Sequence, residues 1–135
     1  MEDCVFCKIS AGQLPIYKVY EDKDYLGFLD ILPLTPGHTL LIPKVHCRWV
    51  DDVAEFGEYF EAAKKIGLAQ RKILGAFTVH YLTLGFEIPH AHIRIVPRFE
   101  NDGHGEKINW DLAHKLADDQ MKDIAQKLRK ELLTI

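Results

Sequence analysis

The sequence predicts a single α+β domain with a mostly antiparallel five-stranded sheet, one long helix and a C-terminal helix. The chain of 135 residues has the size of one domain with its own core, and the predicted domain spans residues 1–135. Its 47% apolar and 27% charged residues are typical of a folded globular protein. The predicted elements follow the order strands, helix, strands, helix, which favours an α+β arrangement with a largely antiparallel sheet.

Five segments have the composition and the turn boundaries that are typical of strands. They are residues 17–21, 25–30, 38–43, 77–84 and 90–97. The polar residues 21–24 predict a hairpin turn between the first two strands, and Pro36 with Gly37 predicts a loop before the third.

Two segments have apolar residues at helical spacing. The first runs from Asp52 to about Leu74, with an acidic start and a basic end that suit the helix dipole. The second is an amphipathic helix over residues 115–133. Its apolar side comprises Leu116, Met121, Ile124, Ala125, Leu128 and Leu132.

Charge and composition exclude several classes of function. The net charge of −3 disfavours a general nucleic-acid binder, which needs a basic surface to displace counterions from phosphates. No stretch approaches the ~20 apolar residues of a membrane span, and no apolar export signal is visible, so we expect a cytoplasmic protein. In a reducing compartment the three cysteines are metal ligands, redox thiols or small apolar residues.

The fifth predicted strand alternates polar and apolar side chains. Residues two apart in a strand share a face, so His90, His92 and Arg94 lie together, about 7 Å between neighbours. Three potentially cationic groups on one face suit a phosphate, and an imidazole can act as a nucleophile near neutral pH. A solvent-facing polar strand produces the same alternation, so the pattern alone leaves both interpretations open.

Cys4 and Cys7 form a C-x-x-C pair at the start of the chain. Such a pair is found in zinc knuckles and in redox sites, and it also occurs by chance. The spacing alone does not choose among these alternatives.

Three segments together resemble the histidine triad (HIT) family. They are FLDILPLTPGHTLLIPKVH (28–46), IPHAHIRIVPR (88–98) and CVFCKI (4–9) with a downstream VYED. The central family pattern is His-x-His-x-His followed by two apolar residues, and often by Pro-Arg. The resemblance covers about residues 4–98 and implies a HIT-like fold, with which the final helix is compatible.

The resemblance implies a purine-nucleotide site. His92 matches the histidine that forms a nucleotidyl intermediate, Arg94 matches the third triad position, and His38 matches a supporting histidine on a neighbouring strand. Asp30 matches an acidic residue that binds the ribose hydroxyls. The positions of the apolar base pocket are Val5, Phe6, Ile9, Phe28 and Ile31. Composition explains those five equally well as ordinary core.

Some bacterial and archaeal members of the family carry a structural zinc, and all four ligand positions are present here. They are Cys4, Cys7, His46 and His90, a set suited to tetrahedral zinc. Four protein ligands leave no position for a reactive water, so the ion would be structural. Cys47 is then a spare thiol.

The resemblance implies hydrolysis or nucleotidyl transfer at the α-phosphate of purine nucleoside phosphoramidates or dinucleoside polyphosphates. Arg94 is the main departure, because arginine attracts phosphate but cannot protonate a leaving amine. Phe86 and Glu87 also replace small polar phosphate-binding residues, and an inward carboxylate would repel an anion.

These departures keep two other functions open: a nucleotide-binding regulatory module with little or no catalysis, and a zinc-stabilised scaffold. Family members commonly form homodimers through the long helix and a neighbouring strand, and we expect the same here. The remaining histidines and both tryptophans match no motif and are predicted to be packing, surface or interface residues: His80, His104, His114, Trp49 and Trp110.

Overall fold

A computed structural model describes residues 4–134. Residues 1–3 and 135 of the predicted domain lie outside the described residues. The helices are α1 (Val5–Ser10), α2 (Phe56–Leu74) and α3 (Asp118–Leu132). The strands are β1 (Lys18–Glu21), β2 (Tyr25–Leu29), β3 (Thr39–Pro43), β4 (Thr78–Leu82) and β5 (Ile93–Arg98). Short 3-10 turns form at Val50–Asp52 and Trp110–Leu112.

The strands form one five-stranded sheet in the order β1-β2-β3-β5-β4, and every pairing in it is antiparallel. This confirms the predicted fold class. No helix within residues 4–134 combines the length and apolar character needed to cross a membrane.

One face of the sheet packs against the helices α2 and α3. Alternate strand residues such as Leu41, Ile93 and Ile95 are fully buried in this core with Tyr59 and Ile66 of α2. Met121, Ala125, Leu128 and Leu132 of α3 complete it, as the helical spacing predicted. Glycine ends α2, because Gly75 has φ +78°, a left-handed conformation that costs glycine little.

The opposite face of the sheet carries a smaller apolar cluster and the chemically active side chains. The register places Phe28 opposite Leu40 and Leu40 opposite Arg94, so these three form a row across β2, β3 and β5. The helix α1 covers part of this face through Phe6, whose ring meets that of Phe28 edge to face at 5.7 Å. We refer to this side as the site face.

One helix was not predicted, and three predicted elements begin several residues later than expected, among them α3, which begins at Asp118 rather than at residue 115. The helix α1 was missed, because six residues are too few for a periodic signal. The long helix begins at Phe56 rather than near Asp52, because a 3-10 turn at Val50–Asp52 precedes it.

The fifth strand begins at Ile93 rather than at His90. The carbonyl of Pro43 accepts a hydrogen bond from Nε2 of the His90 side chain at 2.8 Å instead of pairing in the ladder. The backbone N–H of Ala91 donates to the Cys47 carbonyl at 2.7 Å. The backbone therefore leaves the ladder just before the strand.

Candidate functional site

Two cavities open on the site face and meet at Ile88 and Arg94, which line both. The larger, about 1120 Å³, lies among α1, β2 and α3 and is called the main cleft below. The smaller, about 420 Å³, lies beside residues 83–88 and contains His92; it is called the outer cavity. Both volumes are large enough for a small-molecule site, and Arg94 stands at their junction.

His92 lies at the inner end of the outer cavity and is only 3% exposed. Its Nδ1 donates a hydrogen bond to the carbonyl oxygen of His90 at 2.8 Å. A carbonyl can only accept, so this contact assigns the proton of the neutral ring to Nδ1 and a lone pair to Nε2. Burial lowers the pKa of His92 below its usual value, the hydrogen bond to His90 opposes this, and the Arg94 charge lowers the pKa further. The ring is thus arranged as a neutral imidazole with an available lone pair on Nε2.

Arg94 and Asp30 form a partly buried ion pair, in which Nη1 donates to Oδ2 at 2.9 Å. Oδ1 of Asp30 accepts from the backbone N–H of Leu32 at 2.9 Å. The Nε of Arg94 has no hydrogen-bond partner among residues 4–134, but it is buried away from solvent. The side chain as a whole is 17% exposed, so a further acceptor where the two cavities meet is reached through the terminal nitrogens of the guanidinium and not through Nε.

His38 lies beneath this ion pair and is completely buried. Its Nδ1 accepts a hydrogen bond from the N–H of Leu34 at 3.1 Å, so Nε2 carries the proton. That nitrogen lies 3.7 Å from Oδ2 of Asp30, which is too long for a hydrogen bond. Burial lowers the pKa of His38 to about 4, against a smaller opposing effect of Asp30. His38 is therefore neutral, and its direct hydrogen bond to Asp30 is through the backbone, where the His38 carbonyl accepts from the N–H of Asp30 at 3.0 Å.

The six predicted nucleotide-binding residues all line the main cleft: Val5, Phe6, Ile9, Phe28, Asp30 and Ile31. Phe6 and Phe28 are buried, whereas Val5 is 40% and Ile31 is 66% exposed. Exposed apolar side chains around a cleft are better explained by a ligand than by the core. The cleft combines apolar walls with a carboxylate and a guanidinium at its inner end.

The structure brings the four predicted metal ligands together, although they come from distant parts of the chain. The ligand atoms of Cys4, Cys7, His46 and His90 all lie within 4.8 Å of one another. Nδ1 of His46 lies 3.6 Å from Sγ of Cys4 and 3.2 Å from Sγ of Cys7. Nδ1 of His90 lies 3.3 Å and 3.4 Å from the same two sulfurs.

This donor set fits zinc. Tetrahedral coordination with Zn–S of about 2.3 Å and Zn–N of about 2.0 Å separates sulfur from nitrogen by about 3.5 Å, close to the four distances. The hydrogen bond from Nε2 of His90 to Pro43 leaves Nδ1 free as a ligand, and the backbone N–H of Cys7 donates to Sγ of Cys4 at 3.2 Å. Burial, with the neighbouring Cys4, raises the pKa of Cys7 to about 11. A bound cation would reverse that preference and hold thiolates.

His90 therefore differs in role from the other two residues of its predicted face. It lines neither cavity, and its side chain lies in the metal cluster. The aromatic ring of Phe6 packs edge to face against both His90 and His92, at centroid distances of 5.8 and 5.3 Å. Of the three residues, His92 and Arg94 line the outer cavity, whereas His90 does not.

Sequence reasoning missed the walls of the outer cavity. Trp49 and Trp110, predicted to be packing or interface residues, line it beside His92 and Arg94. The guanidinium carbon of Arg48 lies 3.6 Å from the centroid of the Trp49 ring. An arginine and a tryptophan two and three residues after His46 were the available signal, and they became informative only once the fold placed Trp49 beside His92.

Phe86 and Glu87, the predicted departures from the family pattern, also line the outer cavity. Phe86 is 91% exposed and contacts Trp49 edge to face at 6.2 Å. Glu87 is exposed as well, so water screens its charge. The departure therefore adds an aromatic group at the mouth of the cavity as well as a carboxylate.

Comparison with known proteins gives concordant matches. A family model described as HIT domain matches residues 11–101. The chain is 37% identical over 108 residues to Adenylylsulfatase HINT3 of Arabidopsis thaliana, covering 74% of this chain and 54% of the relative. It is 31% identical over 135 residues to Adenosine 5'-monophosphoramidase HNT1 of Saccharomyces cerevisiae, covering 96% and 80%. A Zn-bound histidine triad family protein from Mycobacterium smegmatis superposes with a TM-score of 0.79 at 31% identity, covering 98% and 95%.

Proposed function

The chain belongs to the HIT domain family, and from this premise we propose that it hydrolyses purine nucleotides at the α-phosphate through a nucleotidyl–His92 intermediate. The observation that carries the proposal is the hydrogen bond from Nδ1 of His92 to the His90 carbonyl, which orients the ring that lines the outer cavity. The names of two relatives support it, since both describe hydrolysis of an adenylyl compound, one with a sulfate and one with an amine as the other group.

In this proposal the nucleoside occupies the main cleft. The base lies against the apolar walls around Phe6 and Phe28, and Asp30 accepts hydrogen bonds from the ribose hydroxyls. A purine is favoured because the cleft is large and the aromatic rings offer flat apolar contact. Asp30 is already oriented by Arg94 and by the N–H of Leu32, so little ordering remains to be done on binding.

The α-phosphate then lies at the junction beside Arg94. The guanidinium of Arg94 donates to a phosphate oxygen through its terminal nitrogens, and Nη1 keeps its bond to Asp30. This charge attracts the substrate and stabilises the negative charge that spreads over the phosphate oxygens in the transition state. Arg94 does not supply a proton, because a guanidinium remains protonated throughout the working pH range.

The reaction takes two steps. The lone pair on Nε2 of His92 forms a bond to the α-phosphorus, the bond from phosphorus to the leaving atom breaks, and its electron pair departs with the leaving group. A water molecule then attacks the phosphorus, the P–N bond breaks, and its electron pair returns to Nε2. One proton of that water goes to solvent, and the nucleoside monophosphate is released.

Zinc is proposed as a structural ion held by Cys4, Cys7, His46 and His90. It would supply a cross-link between α1, the segment after β3 and the segment before β5. The similar structure of the Zn-bound histidine triad family protein from Mycobacterium smegmatis supports this assignment. An ion held by His90 would affect the reaction only indirectly, because it would fix the position of the His90 carbonyl, which orients the His92 ring.

The experiment is hydrolysis of an adenosine 5'-phosphoramidate and of a diadenosine polyphosphate by the wild type and by His92→Ala. The wild type should release AMP from at least one of them, and the variant should lose turnover by at least ~10³-fold while still binding AMP. His114→Ala, which changes an exposed histidine outside both cavities, is the matched control. AMP release that is equal in the wild type and in His92→Ala would contradict the proposal.

A nucleotide-binding regulatory module is the second candidate, favoured by Arg94 at the third triad position and by Glu87 in the outer cavity. It predicts that AMP raises the melting temperature without any turnover of either substrate.

We further propose a homodimer formed through α2 and β4. The strand β4 is an edge of the sheet. Exposed apolar side chains lie on α2 (Leu68), on β4 (Tyr81) and at the two ends of β4 (Phe77 and Leu84). Light scattering tests this, because Tyr81→Arg should shift a dimer to a monomer.

A further inference from the structure

The outer cavity has a composition that the proposed hydrolysis of a nucleotide does not by itself require. It is walled by Trp49, Phe86 and Trp110 and leads outward from His92. These aromatic side chains are 40%, 91% and 44% exposed. Large aromatic surfaces left open to water beside a reactive group are typical of a site that stacks a planar ligand.

Trp49 is held in position by Arg48. The guanidinium stacks 3.6 Å from the ring centroid, and its Nη1 donates to the carbonyl oxygen of Gly85 at 2.8 Å. A Cβ on Gly85 would lie 3.4 Å from Cζ3 of Trp49, so the loop approaches the tryptophan closely. Arg48 thus joins the two sides of the cavity wall and fixes the plane of the Trp49 ring.

Groups of both charge signs lie around this cavity. The guanidinium carbon of Arg94 lies 5.3 Å from the centroid of Trp110, and Arg48 lies behind Trp49. Arg94 is paired with Asp30, and Glu87 is the one carboxylate that lines the cavity among residues 4–134. The two guanidinium groups therefore offer hydrogen-bond donors to phosphate oxygens rather than a net positive charge.

We propose that the outer cavity is a leaving-group subsite for an aromatic ring joined to the scissile phosphate through further phosphate groups. Trp49 is then a specificity-determining residue, and Arg48 is a positioning residue. The inference rests on the proposed function, because it needs the nucleoside in the main cleft and the α-phosphate at Arg94.

The chemistry of the first step supports this choice of leaving group. When the P–O bond of a phosphoanhydride breaks, the electron pair stays on a phosphate oxygen, which is stable as an anion and needs no proton. When a P–N bond breaks, the nitrogen must take up a proton, and Arg94 cannot provide one. The aromatic end of a polyphosphate chain reaches outward, where Trp49 and Phe86 lie.

Three adenylyl substrates test the proposal. Diadenosine tetraphosphate has further phosphates and a second ring beyond the scissile phosphate. Adenosine 5'-pentaphosphate has further phosphates without a second ring, and an adenosine 5'-phosphoramidate of an aromatic amine has a second ring without further phosphates. We expect kcat/KM for the wild type to be at least ~10-fold higher for the first than for either of the others, since stacking on an aromatic side chain contributes about this factor.

Variants separate positioning from general damage. Trp49→Ala and Phe86→Ser should lower kcat/KM for diadenosine tetraphosphate by ~10-fold, mainly through KM, with less than ~2-fold change for the pentaphosphate. Phe86 is so exposed that its replacement leaves the fold intact. Arg48→Ala should reproduce the Trp49→Ala pattern, and Arg48→Lys should recover part of the loss, since a cation above the ring is retained.

The failures are distinguishable. A preference for the phosphoramidate, or an equal loss on all three substrates in Trp49→Ala and Phe86→Ser, overturns the leaving-group subsite while hydrolysis at His92 stands. No turnover of any of the three by the wild type overturns both the subsite and the proposed function.

Discussion

The Nδ1 atom of His92 lies 2.8 Å from the carbonyl oxygen of His90, so one short segment joins two different sites. The side chain of His90 belongs to the Cys/His cluster, and its main chain orients the ring that faces the outer cavity. A displacement of His90 would therefore move the His92 ring as well as the Cys/His cluster. The predictions below start from this coupling.

Removal of a metal ligand should weaken both the fold and the reaction. Cys7→Ser should lose bound zinc, lower the melting temperature by at least ~5 °C and reduce turnover, because α1 and His90 lose their shared anchor. Elemental analysis and thermal denaturation measure the two effects.

Cys47→Ser is the matched control, since Cys47 adjoins the ligand His46 in sequence and lies outside the cluster. If Cys7→Ser and Cys47→Ser had the same zinc content and the same melting temperature, the assignment of Cys7 as a ligand would be wrong.

Arg94 should set the preference between anionic and amine leaving groups. Replacement by histidine introduces a group that can donate a proton, so Arg94→His should raise the ratio of phosphoramidate to polyphosphate turnover by ~10-fold or more. Arg94→Lys keeps the charge without the planar fork, so both rates should fall and their ratio should stay. Steady-state kinetics with both substrates provide the measurement, and an unchanged ratio in Arg94→His would refute the role given to Arg94.

Asp30 should discriminate ribose from deoxyribose. The wild type is expected to bind AMP ~10-fold more tightly than 2'-deoxy-AMP, because a hydrogen bond to a carboxylate is lost with the hydroxyl. In Asp30→Asn that difference should shrink to less than ~3-fold. Titration calorimetry of the two ligands against the two proteins measures it, and a full difference that persists in Asp30→Asn would place the ribose elsewhere.

His38 should make the protein less stable in mild acid. Burial lowers its pKa from 6.5 to about 4, so between these values the unfolded chain binds more protons than the folded one. The free energy of unfolding therefore falls as pH decreases from 6.5 to about 4, and the contribution of His38 is fully present above pH 6.5.

Denaturant unfolding at several pH values tests this against His38→Asn, whose side-chain oxygen still accepts from the N–H of Leu34. The variant should have a shallower pH dependence, whereas His114→Asn, at an exposed position, should follow the wild type. Parallel curves for His38→Asn and the wild type would rule out His38 as the titrating group.

The sequence predicted the elements whose pattern is local. Alternation in Ile93-Arg94-Ile95 correctly separated the core face of the sheet from the site face. The helical spacing in α3 likewise predicted its buried side. In these segments the period of the backbone determines which side chains share a face.

The interactions that cross the chain could not be predicted from local pattern. Arg94 pairs with Asp30 across 64 positions, and this contact depends on the order of the strands rather than on any motif. The start of β5 depends on the side chain of His90 occupying the Pro43 carbonyl, and no strand propensity contains that information. Trp49 and Trp110 likewise acquired meaning only when the fold placed both beside His92.

The most direct test of the nucleophile is intact-mass spectrometry of the protein quenched in alkali within the first turnovers of an adenylyl substrate, since phosphoramidate bonds to histidine survive alkali better than acid. The expected result is one adenylyl group on the wild type, mapped to His92 by peptide fragmentation and missing from His92→Ala. Rapid AMP release with no adduct at any quench time, or an adduct on another residue, would contradict His92 as the group that attacks the phosphorus.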